Sequence, residues 1–199
     1  MLTPLPFTWP LGAVFLIVMV WSYLPESRVM RAARRAQRAK DPSQRDPSYR
    51  PLVMGQKILL FLAALLAFTA PSLTMRSHRE AVFVVGLIVL VAASILRRHC
   101  FRMLGADFRG DVTVRPDQPV VERGAYQYLR HPSYLAAIFL HLGFGLCFTN
   151  WGTLALLLLA VPPLFVYRIT VEERALRAQL GASYEGYCDR TKRLIPRVW

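Results

Sequence analysis

Acidic side chains are scarce in this chain, with 12 Asp and Glu against 25 Lys and Arg across 199 residues. Five stretches lack Asp, Glu, Lys and Arg altogether: residues 7–24, 58–75, 81–96, 133–150 and 152–167. A soluble bundle would carry polar residues at helical spacing along one face of each helix. These runs do not. Cysteine is sparse too, and Cys100, Cys147 and Cys188 show no pairing or metal spacing, so neither a disulfide framework nor a metal centre is expected. No glycine-rich nucleotide loop follows a strand. Gly143-Phe144-Gly145 falls inside the fourth apolar run and reads as a place of close helix contact.

What is present is long apolar sequence. A bilayer core about 30 Å thick needs roughly 20 helical residues to cross it. Snorkelling Arg side chains and local thinning absorb a shortfall of a few residues. The expected fold is therefore an all-α integral membrane protein of about five transmembrane helices. No Lys or Arg precedes Arg28 and no small-x-small site follows Trp21, so the first run reads as a retained helix, not a signal peptide.

Charge gives the orientation. Of the 25 Lys and Arg, 23 fall in residues 25–57, residues 97–132 or the tail from Arg168, leaving only Arg76 and Arg79 elsewhere. By the positive-inside rule the N-terminus lies outside and the C-terminus is cytoplasmic, which suits a bacterial inner membrane. The net charge of +13 is then explained by topology, with anionic lipids as partners and no nucleic acid. Residues 28–40 read as a basic amphipathic helix, either a topogenic anchor or a recruiter of lipid or substrate. Residues 41–51 read as a loop. Trp9 and Trp151 suit the outer interface, and Pro162-Pro163 should kink the fifth helix. The Thr149-Asn150-Trp151-Gly152 turn makes helices four and five an antiparallel hairpin. The fifth helix should run on through residues 168–180 to a C-cap at Gly181.

Two pieces flank the basic ends of that hairpin. In the first, Tyr126, Tyr128, Arg130, His131, Pro132, Ser133 and Tyr134 follow one another closely. Pro132 suits the first helical position and His131 the N-cap. The donors of that first turn can receive an anion, and the tyrosine faces attract a cation such as a sulfonium. In the second, Arg168 and Glu172 stand four apart and share a helix face. Glu172 can hold a cationic or ribose-bearing ligand, and Arg168 an anionic one.

These residues carry a resemblance. The run GAYQYLRHPSYLA, a helical hairpin, then RITVEERALRAQLGASYEGYCDRTKRLIP resemble the isoprenylcysteine carboxyl methyltransferase family, itself similar to membrane phospholipid methyltransferases. The likeness covers residues 117–196 and rests on RHPxY followed by EExxL and GxxYxxY. Gln118 stands where the family commonly has His, and Ala136 where Gly often stands.

The resemblance implies two parts: residues 1–96 with three helices and the basic loop 25–57, and residues 97–199 as a methyltransferase core. It implies S-adenosylmethionine bound near Gln118, Val120, Val121, Tyr126, His131, Pro132, Ser133, Tyr134 and Glu172. Arg168, Glu172 and His131 become the catalytic residues, with Arg168 on the substrate carboxylate. The implied reaction is O-methylation of a carboxylate on a lipophilic or lipidated substrate, isoprenylcysteine-like. A phenolic lipid hydroxyl or a phospholipid amine is the alternative acceptor, and His131 would serve as base for a phenol. Membrane reductases using NADPH end in a similar hairpin and form a second class of reading. They usually show Asn at the position of Ser133.

Overall fold

The computed structural model describes residues 3–39, 46–105, 112, 114 and 118–195. Among these residues six α-helices follow in order: α1 Leu11–Ala39, α2 Tyr49–Thr69, α3 Arg79–Leu104, α4 Pro132–Cys147, α5 Trp151–Leu180 and α6 Ala182–Arg190. Among the described residues there is no extended strand, only two isolated bridges.

Among the described residues three helices, α2, α3 and α5, are long and apolar enough to cross a membrane; residues 11–24 of α1 and all of α4 form shorter apolar pieces. The sixteen residues of α4 rise only about 24 Å. That helix buries ten of its residues, so its neighbours shield it along most of its length. Outward faces elsewhere are apolar: Leu16, Ile17, Phe61, Ile88 and Leu159 are all exposed. Water would not tolerate so wide an apolar belt. The chain is an integral membrane protein.

Several helices reach further into the basic boundary than the apolar runs suggested. The first run and the basic stretch form one continuous helix, α1. Helix α2 begins at Tyr49, inside the segment read as loop, and α3 runs on to Leu104. Part of that expected loop, residues 41–45, lies outside the described residues, as do Asp117 and Pro196 of the resembling stretch. Helix α5 continues through Pro162 and Pro163 to Leu180, where Gly181 at φ 53° caps it as the sequence implied.

Packing centres on α4, which lies between α3 and α5, while α2 packs on α5 and α1 on α3. Without water to drive helices together, close approach needs small residues. A Cβ on Gly143 would meet the Gly86 carbonyl oxygen at 2.9 Å and the Leu90 backbone nitrogen at 2.9 Å. Two glycines thus let the α3 and α4 backbones touch. At the other end the turns are tied together: the Met75 N–H donates to the Thr149 carbonyl at 2.8 Å, and the Asn150 side chain donates to the Ala70 carbonyl at 3.1 Å. Asn150 also caps α5 by accepting from the Thr153 N–H.

Candidate functional site

The backbone first builds a frame at the basic end of the hairpin. A short 3-10 turn, Gly124–Gln127, leads to residues 128–131, which pair with the returning tail. The Arg130 and His131 N–H groups donate to the Lys192 and Arg193 carbonyls at 2.7 and 3.1 Å. From α6 the Tyr187 hydroxyl donates to the Tyr126 carbonyl at 2.7 Å. Arg97 on α3 donates to the Ser133 carbonyl. These bonds fix the start of α4, where Pro132 occupies the first turn and lacks only a donor that would have no helical partner.

His131 is the N-cap residue of α4, yet its side chain makes no cap bond. The ring instead stacks on Tyr134, with centroids 5.4 Å apart and planes within 3°. Its Nε2–H donates to Glu173 Oε1 at 3.3 Å. The imidazole therefore meets the second acid of the glutamate pair, where the sequence had drawn attention to the first. Glu173 is 2 % exposed and holds a whole ring of cations. Arg130 Nε donates to Oε1 at 2.8 Å, while Arg193 donates to Oε2 through Nε at 3.0 Å and Nη2 at 2.9 Å. Such a carboxylate stabilises the surrounding guanidinium groups by charge-assisted, partly bidentate bonds.

Glu172 turns the other way on α5 and accepts a hydrogen bond from the Tyr134 hydroxyl. Behind them Arg168 is buried at 2 % exposure. Its Nε donates to the Tyr134 hydroxyl at 3.2 Å, and its Nη1 donates to Ser48 Oγ at 2.7 Å and to Asp46. Asp46 also accepts from the Val112 N–H at 2.9 Å. Burial raises the Asp46 pKa, but the Arg168 charge and the Ser48 and Val112 donors outweigh it, leaving the carboxyl below its ordinary value. Burial pushes the Tyr126 and Tyr184 hydroxyls well above the usual phenol range, so both stay neutral donors.

A cleft opens in front of this network. It gives ≈ 110 Å³ to the centres of water molecules, and ≈ 860 Å³ of empty space once its open mouth is counted. Gln118, Val120, Val121, Tyr126, His131, Ser133, Tyr134 and Glu172, all named from sequence, line it. Pro132 does not, because it serves the helix start. Nor does Arg168. A carboxylate from its own chain, that of Asp46, sits on the guanidinium. Sequence reasoning missed Glu173 and Asp46. Arg177 at i+4 from Glu173, with Arg130-His131 upstream, was a signal for the former. Nothing local marks Asp46, which is 122 residues from Arg168.

The wall has a carboxylate, stacked aromatic faces and a Tyr184 hydroxyl that is buried without a hydrogen-bond partner. Buried hydroxyls are normally satisfied, and this one can exchange a hydrogen bond with a polar group entering the cleft. An adenosyl sulfonium fits such a set. Among the described residues no cluster of His, Cys, Asp or Glu could hold a metal ion.

Comparison with known proteins bears on the same region. Residues 84–178 match the model of the isoprenylcysteine carboxyl methyltransferase family. Protein-S-isoprenylcysteine O-methyltransferase B of Arabidopsis thaliana is 28% identical over 115 residues, covering 57% of this chain and 58% of that protein. The Schizosaccharomyces pombe protein-S-isoprenylcysteine O-methyltransferase is 35% identical over 82 residues, 41% of this chain and 35% of that one. The match thus spans only 58% of the Arabidopsis protein's own length. A solved structure of the eukaryotic intramembrane Ras methyltransferase ICMT shares the fold, with TM-score 0.58 and 24% identity over 80% of this chain and 55% of that one. The matched segment runs from α3 through the hairpin to Glu172 and Glu173, elements that contribute to the cleft, and over that segment the chain is similar to the isoprenylcysteine carboxyl methyltransferase family.

Proposed function

We propose that this chain is an S-adenosylmethionine-dependent methyltransferase that esterifies a carboxylate of a lipophilic, isoprenylcysteine-like substrate. One observation carries the reading: Tyr126, His131, Ser133, Tyr134 and Glu172, brought from two distant stretches, line one cleft at the basic end of an apolar bundle. The names of the relatives support the same substrate class. The strong bias of Lys and Arg toward this end supports a cytoplasmic opening. An alkaline phosphatase fused after Trp199 should stay inactive in a bacterial host, and an active fusion would overturn that orientation.

S-adenosylmethionine, when bound, supplies an electrophilic methyl group on a sulfonium. The chain's own residues do the rest. The stacked His131 and Tyr134 rings offer electron-rich faces to a cation, and Glu172 adds negative charge in the same wall. Arg168 fixes the Tyr134 hydroxyl, which fixes Glu172, so the carboxylate is held before any ligand arrives. Leu104, Leu176 and Leu180 keep water from that side of the cleft. A carboxylate acceptor is ionised at neutral pH and needs no base, so positioning supplies most of the acceleration. Arg168 acts through Tyr134 and Glu172 in this scheme, as a positioning residue.

Two measurements test it. Purified protein incubated with methyl-labelled S-adenosylmethionine and an S-prenylcysteine should yield a base-labile methyl ester. Label on a phospholipid amine or a phenol instead would move the acceptor. Calorimetry in detergent should show cofactor binding that Glu172→Gln or His131→Ala removes; unchanged affinity in both would sink the site.

A further inference from the structure

A second cavity lies outside the segment matched by the family. It opens between the basic half of α1 and the first three turns of α2, and it gives ≈ 800 Å³ to water centres. Because α1 packs on α3 and α2 on α5, these two consecutive helices face one another across a groove. Tyr23, Ser27, Arg31 and Arg34 form the α1 wall, at the spacing of one helix face. The α2 wall carries Arg50 and Lys57 for charge, with Val53, Met54 and Leu60 as the apolar floor.

Four cations line this groove and no acid does, among the described residues. Among the described residues, none of Arg31, Arg34, Arg50 and Lys57 has a carboxylate partner there, in contrast to Arg130, Arg168 and Arg193, each of which is paired. A topogenic role requires only that cations sit on the right side of the membrane. It does not require that cations from two helices converge on a concave surface with an apolar floor. The volume falls within the roughly 300–1,000 Å³ of small-molecule sites.

We propose that the α1–α2 groove is a binding site for an anionic phospholipid. The headgroup phosphate lies among Arg31, Arg34 and Arg50, and Lys57 reaches back toward it from one level deeper. An acyl chain lies on Val53, Met54 and Leu60, and Tyr23 and Tyr49 flank it at the boundary. The charge set selects against zwitterionic lipids, since a choline would stand among cations. The groove shares no lining residue with the cleft at the start of α4.

Native mass spectrometry of the detergent-purified protein tests this with two probes, phosphatidylglycerol and phosphatidylcholine of matched chains. Phosphatidylglycerol should be retained as a single preferred adduct, and the double variant Arg50→Gln/Lys57→Gln should lose it, by roughly fivefold in occupancy for each cation removed. Arg35→Gln/Arg38→Gln removes the same charge from α1 outside the groove, and should leave retention unchanged. Lys57→Arg should preserve it, and circular dichroism of each variant guards against misfolding. Equal retention of the two lipids, or equal loss in the two double variants, would show diffuse attraction to a basic face and overturn the site.

Discussion

The two halves of the bundle are held by different physics. Helix α4 buries ten of its sixteen residues, and its basic end meets a closed network in which every charged group of the Glu173 cluster has a partner. Helix α2 buries four of twenty-one, and the cations along α1 and the start of α2 face a groove. One half is specified by buried polar bonds and backbone contact. The other rests on apolar surface offered to lipid. The lesson is that conformational demands concentrate where chemistry is to be done. Elsewhere a membrane helix needs only length, apolarity and a charge at the correct end.

The sharpest way to break the comparison is at Glu173. Replacing it by Ala leaves Arg130, His131 and Arg193 at a buried site without their shared carboxylate. Removing one partner of such a cluster costs on the order of 3–5 kcal/mol. Unfolding by denaturing detergent should show that loss, together with failure to bind S-adenosylmethionine. A Glu173→Ala protein of wild-type stability would mean the network is ornamental.

Asp46 joins the halves, tying the stretch before α2 to Arg168 on α5. Asp46→Asn keeps an acceptor but drops the charge, for a loss of about 1.5–3 kcal/mol. The folded-state pKa of Asp46 is depressed, so its stabilisation is present above its unfolded value of about 4 and is lost as pH falls through the folded value. Thermal midpoints should therefore decline in acid for the wild type, and less steeply for the Asn variant. Parallel curves would remove Asp46 from the account.

A pair of glycines gives the smallest and finest test. Gly143→Ala would press a methyl onto the Gly86 and Leu90 backbones, whereas at Gly55 the nearest atom, at 2.8 Å, is the tip of the Leu164 side chain. Backbone cannot yield, so the first substitution should cost about 1–3 kcal/mol and the second well under that. Equal costs, measured by the same detergent titration, would erase the distinction between the halves.

Much of this architecture was legible in the residues. Asn150 and Gly152 marked the hairpin turn, Pro132 the start of α4 and Gly181 the end of α5. Each acts through its own backbone within a few positions, so sequence order carries the information. The cleft was legible as well, since Tyr126, His131 and Tyr134 lie within nine residues and one turn returns Glu172 to them. Helix boundaries were less so. The basic half of α1 is polar and the first turns of α2 carry Arg50, Gln56 and Lys57, and apolar run length says nothing of where a helix ends once it has left the lipid.

By itself the sequence determined which segments must leave water, which way a hairpin folds and which side chains gather at its basic end. Those follow from local backbone chemistry and from the cost of charge in hydrocarbon. Only the tertiary structure decided which of two adjacent glutamates faces the imidazole. It alone decided that a carboxylate 122 residues away occupies Arg168. Neighbouring acids differ in sequence by one position but in space by about 100° around the helix. Which of them is buried depends on what packs against each side, and that is set by contacts no single stretch of chain contains.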